Sequence, residues 1–207
     1  MASWYERKIL PRFLSCACSG PQMMRQRARL VPRASGRVLE LGVGMGLNLA
    51  FYDPARVTSV SGVDPAAELR TLAEAAPRPE GLSVEILPGV AEDLPFAAES
   101  FDSVVCTFTL CSVHSPERAL AESMRVLKPG GRLFYCEHGL APEPDVARWQ
   151  RRIEPVWKRL AGGCRLTRPI ESLLEGAGFP AKDAECGFLP KVPRFAGWNV
   201  FGEAAKG

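Results

Sequence analysis

Apolar residues in this chain fall into short runs separated by amphipathic stretches, and from Gly36 onward the two alternate regularly. Arg37 to Leu41, Thr58 to Val63, Ser83 to Leu87, Phe101 to Thr107 and Arg132 to Cys136 each have the length and apolar density of a strand buried on both faces. Helical patterns separate them: one begins at Leu47, one covers Ala66 to Ala76 and stops near Pro77, and one covers Pro116 to Val126. The proline of the last suits a first helical turn, where no backbone N–H is needed. Lys128-Pro129-Gly130-Gly131 is a tight turn into the fifth strand. Such alternation predicts an α/β domain with a mostly parallel sheet covered by helices on both faces.

Both ends of the chain depart from that rhythm. After His138 the pattern predicts a helix over Asp145 to Leu160, a short helix over Ile170 to Ala177 stopped by Gly178, and strands at Lys182 to Phe188 and Trp198 to Glu203. No long helix separates the two strands, so they are expected to form an antiparallel hairpin. Residues 1–34 read as two helical pieces interrupted by Pro11 and by Ser19-Gly20-Pro21. Trp4, Ile9, Leu10, Phe13 and Leu14 form an apolar stripe there, which can lie on a membrane surface or cover a ligand pocket; a lid is the expectation.

Composition narrows the class. A chain of 207 residues suits one domain, and 46% hydrophobic with 24% charged residues is globular usage. A net charge of +3 is too small to indicate a nucleic-acid partner, and Arg25, Arg27, Arg29, Arg33 and Arg37 read as a solvated helix face. No apolar run reaches the length of a membrane-spanning helix. The seven cysteines show neither a CxxC pair nor a His spacing typical of zinc sites, so no metal is expected. Their odd number and the lack of a signal-peptide pattern point to a reducing cytoplasm.

Candidate chemistry concentrates at the ends of the predicted strands. In VLELGVGMGLN, residues 38–48, Gly42, Gly44 and Gly46 let the backbone turn sharply and approach a ligand closely. A dinucleotide fingerprint would have its third glycine where Leu47 stands, which disfavours a nicotinamide enzyme. Glu40 can face a positive group such as the amino group of a methionine moiety. Asp64, at the end of the second strand, can accept from both hydroxyls of a ribose or cap the helix that follows. LPGVAEDLPF, residues 87–96, places the Val90 and Ala91 backbone and Glu92 where an adenine edge would be read. Asp102 reads as a strand-start residue.

In this order and spacing these pieces resemble the class I S-adenosylmethionine-dependent methyltransferases, the group with an LPF loop and a LKPGG turn. The resemblance implies a Rossmann-like, seven-stranded fold with S-adenosyl-L-methionine as cofactor, contacted by Glu40, Gly42, Gly44, Gly46, Asn48, Asp64, Pro65, Val90, Ala91, Glu92, Thr107 and Leu110. The family often has Asp where Val90 stands, so a side-chain bond to adenine would move to Glu92. VVCTFTLCSVHSPERAL, FYCEHG and WQRRIEPVWKRLAGGCRLTR extend a narrower resemblance to small methyltransferase-like proteins whose animal members methylate lipophilic thiols at membranes of the endoplasmic reticulum and lipid droplets. Those members carry an N-terminal hydrophobic anchor, which has no counterpart in this pattern, so membrane residence is not implied. A small lipophilic thiol is the expected acceptor; a small amine, a phospholipid headgroup or a non-catalytic nucleoside-binding role are the alternatives. His138, at the carboxyl end of the fifth strand, is the candidate base. Trp4, Phe13, Cys111 and Trp157 are candidate walls of the acceptor pocket. One domain is expected, divided into a lid (1–34), a cofactor-binding core (35–140), a substrate cap (141–170) and a C-terminal helix with strands (171–207).

Overall fold

A computed structural model describes residues 18–207. The chain runs α1 (Pro21–Leu30), β1 (Gly36–Leu41), β2 (Val57–Asp64), α2 (Ala67–Glu74), β3 (Val84–Pro88), β4 (Phe101–Thr107), α3 (Pro116–Val126), β5 (Leu127–His138), α4 (Pro144–Leu160), α5 (Ile170–Gly176), β6 (Glu185–Phe188), α6 (Arg194–Gly197) and β7 (Trp198–Ala205). One seven-stranded sheet has the order β3-β2-β1-β4-β5-β7-β6. Strands β1 to β5 pair in parallel, and β7 runs antiparallel to both β5 and β6, as the expected hairpin requires. The strand order reverses between β1 and β4, so their carboxyl ends open a crevice.

Successive side chains of each strand feed opposite faces, and both faces are apolar. Leu39, Leu41, Val104, Cys106, Leu133 and Tyr135 join the core under α3 and α5 through Ala119, Leu120, Ile170 and Leu174. Val38, Val105, Phe134 and Cys136 join the other, with Leu30, Val31, Leu49 and Tyr52. Helix α3 begins where the sequence places it: Ser115 accepts from the Arg118 N–H at 3.3 Å and Pro116 occupies the first turn.

One expectation needs correction. No α-helix begins at Leu47; only a 3₁₀ turn forms, at Leu49–Phe51. Gly42, Gly44 and Gly46 hold positive φ up to the start of this segment, and Asn48 turns its amide inward to Glu40. Pro54 then disfavours helical geometry at Asp53. Helix α1 and the turn after it bury Arg27, Leu30 and Val31 against the sheet. The stretch before it, with Trp4 and Phe13, lies outside the described residues.

Candidate active site

The crevice at the carboxyl ends of β1, β2 and β4 is a cavity of about 410 Å³. Its wall includes Gly42, Gly44, Asp64, Pro65, Val90, Ala91, Glu92 and Thr107. Eight of the residues named from sequence are thus brought together from four separate loops. Gly42 to Gly46 make the floor turn at φ of 63°, 54° and 75° for the three glycines. A Cβ on Gly42 would lie 2.6 Å from Thr109 Oγ1, and one on Gly46 2.7 Å from the Ala76 Cβ, so these two are glycines because protein packs against them. A Cβ on Gly44 would find nothing nearer than 3.7 Å and would project into open space.

Asp64 closes one side. Its Oδ2 accepts from the Gly44 N–H at 3.0 Å and its Oδ1 from the Ala66 N–H at 2.9 Å, so the carboxylate shapes the glycine turn as well as the cavity. Burial raises its pKa, while these two N–H groups and Arg70 oppose the rise. Glu92 Oε1 accepts from the backbone N–H groups of His114 and Ser115, at 2.6 and 3.1 Å, tying the loop after β3 to the loop after β4.

Glu40, Gly46, Asn48 and Leu110 stand behind the wall rather than in it. Glu40 is 2% exposed and accepts from Tyr52 Oη at 2.8 Å and Asn48 Nδ2 at 2.9 Å. Burial lifts its pKa to about 7, against those hydrogen bonds and the charge of Arg27. Leu110 belongs to the apolar core.

Arg27 is one of two residues that sequence reasoning missed. It is 5% exposed, lines the cavity, and donates from one nitrogen to Asn48 Oδ1 at 2.8 Å and Thr107 Oγ1 at 2.6 Å. Its Nε is buried without a protein partner. A guanidinium with an unused donor beside a cavity suits an anionic group. The only signal in the sequence was its spacing of three from Leu30 on α1, which set it on the buried face of a helix read as solvated. Glu137 was missed too. It is fully buried in β5 and accepts from the backbone N–H groups of Thr109 and Cys111 at 2.8 and 3.3 Å, anchoring the loop after β4. Burial lifts its pKa to about 8.

The fold gathers His138, Cys111 and Trp157, all named as candidates, around Cys164. His138 Nε2 lies 2.9 Å from Cys164 Sγ, and Trp157 Nε1 donates to the same sulfur at 3.2 Å. This group stands one residue behind the cavity wall, which is formed by Ser112 on one side and Ala161 and Gly162 on the other. None of the three candidates lines the cavity. His138 Nδ1 is buried without a protein partner.

Residues 39–135 match the family described as a methyltransferase domain. Thiol S-methyltransferase TMT1B of Rattus norvegicus is 39% identical over 82% of this chain and 70% of its own length. Thiol S-methyltransferase TMT1A of Homo sapiens is 34% identical over 86% of this chain and 78% of its own length. This chain belongs to the S-adenosylmethionine-dependent methyltransferases. Among solved structures, a SAM-dependent methyltransferase of Thermotoga maritima covers 99% of this methyltransferase and 93% of itself, with TM-score 0.64 at 24% identity, and shares the fold. No described helix of this methyltransferase is long and apolar enough to cross a membrane.

The cavity fits the cofactor of such an enzyme on two observations. Gly44 leaves space that any side chain would fill, and Arg27, in the cavity wall, keeps a buried donor without a protein partner. S-adenosylmethionine supplies an electrophilic methyl group on a positively charged sulfur.

Proposed function

We propose that this methyltransferase transfers the methyl group to the sulfur of a small, apolar thiol. The reading rests on the wall contributed by the loops after β4 and α4: Phe108, Thr109, Ser112, Val113, Ala161 and Gly162 are uncharged, and His114 beside them offers no carboxylate to receive an ammonium headgroup. The relatives named thiol S-methyltransferases support it. In this reading Asp64 accepts from the ribose hydroxyls, and the Val90 to Glu92 segment meets the adenine. Arg27 takes the methionine carboxylate, and Glu40 faces the cationic end through Asn48. Together these residues hold the methyl carbon toward the apolar wall, where Phe108 and Val113 orient the acceptor and exclude water. Fixing the two partners in attack geometry supplies much of the acceleration of such a displacement.

A free thiol has a pKa near 8.5, so about a few per cent is thiolate at neutral pH, and its proton leaves to solvent before attack. No general base is then required, and His138, turned to Cys164 behind the wall, is not assigned that part. The odd number of cysteines is the ground for placing this methyltransferase in a reducing compartment such as the cytoplasm.

The test is a labelled-methyl screen of alkyl and aryl thiols, small amines and phosphatidylethanolamine vesicles. Thiols are expected to turn over, with rates below the thiol pKa rising with pH as the thiolate fraction does. Turnover of amines or phospholipid without thiols, or tight cofactor binding without any turnover, would overturn the reading. Asp64→Ala is expected to weaken cofactor affinity by about 2–3 kcal/mol, since charge-assisted hydrogen bonds contribute about 1.5–3 each and are not additive. Calorimetry checks this, and unchanged affinity would remove Asp64 from the site.

A further inference from the structure

We propose that Cys111, His138 and Cys164 form a binding site for one thiophilic divalent cation of the zinc class. Each residue comes from a different part of the fold: the loop after β4, the end of β5 and the loop after α4. Their ligand atoms nevertheless all lie within 4.8 Å of one another. A tetrahedral zinc with sulfur at about 2.3 Å and imidazole nitrogen at about 2.0–2.1 Å keeps its donors roughly 3.3–3.8 Å apart. The 2.9 Å between His138 Nε2 and Cys164 Sγ is shorter, so the ring must back away by less than about 1 Å to admit the ion.

Burial disfavours a bare pair of thiolates: Cys111 and Cys164 are 2% and 7% exposed, so ionising both sulfurs there needs a compensating charge, which a dication supplies in full. Trp157 Nε1 already donates to Cys164 Sγ, and Ser112 Oγ lies 3.4 Å from Cys111 Sγ, the outer hydrogen bonds that orient metal thiolates. Soft sulfur with imidazole selects zinc over magnesium or calcium. Three protein ligands leave one coordination position open. His138 Nδ1 lacks the acceptor that usually strengthens a zinc histidine, a deficit worth about 10–100-fold in affinity, so the ion should be removable by chelators.

Because Ser112 follows Cys111 in the chain, and Ala161 and Gly162 precede Cys164, the ion would clamp the two loops that make the uncharged wall of the cavity. It would do so whatever the acceptor is, so the site stands apart from the thiol reading. The conventional spacing rules miss it because its ligands are separated by 26 positions and more.

The experiment uses the full chain, reduced and stripped by chelation, titrated with cobalt(II) and then displaced with zinc. One metal per chain is expected, with a tetrahedral cobalt spectrum and a thiolate charge-transfer band. Cys111→Ser and Cys164→Ser should each weaken the metal by more than about 100-fold, beyond what loss of an outer partner costs. His138→Asn should weaken it while keeping the charge-transfer band at high cobalt. Cys186→Ser, at an exposed thiol, should change nothing. Cofactor binding by the Cys164→Ser protein reports that it is folded. Sub-stoichiometric uptake, an octahedral cobalt spectrum, or a spectrum unchanged in the Cys111→Ser/Cys164→Ser double variant would overturn the proposal. So would a disulfide between the two cysteines in the freshly isolated protein.

Discussion

Gly44→Val is expected to abolish measurable S-adenosylmethionine binding, a loss above about 100-fold, in a protein that still folds. The separation of the two effects follows from what surrounds each glycine. At Gly44 an added Cβ meets no protein atom within 3.7 Å, so the branched side chain fills the cavity itself. The fold bears only the left-handed backbone at φ +54°, which costs an L-residue about 1–2 kcal/mol. For a chain of this length that lowers the melting temperature by about 2–4 °C per kcal/mol. Gly42→Val is the contrasting case: its Cβ would stand 2.6 Å from Thr109 Oγ1, whose hydroxyl donates to the Leu41 carbonyl, and the variant should fail to fold. Calorimetric titration with the cofactor and thermal unfolding of both variants check the pair. A Gly44→Val protein with wild-type affinity would mean that the cofactor does not pass over this turn.

Arg27→Leu should lower both stability and cofactor affinity. Leucine removes two charge-assisted hydrogen bonds, leaves Asn48 Oδ1 buried without its guanidinium donor, and takes the nearest cation from the buried Glu40. Bonds to charged groups are worth about 1.5–3 kcal/mol each and are not additive, so a loss of about 3–4 kcal/mol is expected. The pH dependence supplies a second readout. With Arg27 present Glu40 titrates near 7, and a cationic cofactor favours its ionised form, so affinity should rise with pH up to about 7 and then level. Without Arg27 the Glu40 carboxyl moves further up, and the rising limb should shift to higher pH. Glu40→Gln should flatten it in either background. A variant with unchanged melting temperature and an unshifted limb would remove Arg27 from the network.

Much of this enzyme is legible in its sequence, for reasons of local physics. Strands β1, β2, β4 and the paired β6 and β7 follow from apolar runs and from the absence of a crossover helix. Gly42, Gly44, Asp64 and the Val90 to Glu92 loop reach the cavity because each lies directly beyond a strand's carboxyl end, where chain order alone dictates position. The failures share one cause. The helix expected at Leu47 has good local pattern, but Asn48 is drawn inward by a buried partner from β1. Arg27 looks like one of five solvated arginines until α1 packs on the sheet and buries it between Asn48 and Thr107. Cys111, His138 and Cys164 show no ligand spacing because three separate loops deliver them. Strand ends and turns are set by neighbours in sequence and can be read from it. Burial of a polar side chain, and the meeting of residues far apart in the chain, depend on which faces pack together, and only the tertiary structure decides that.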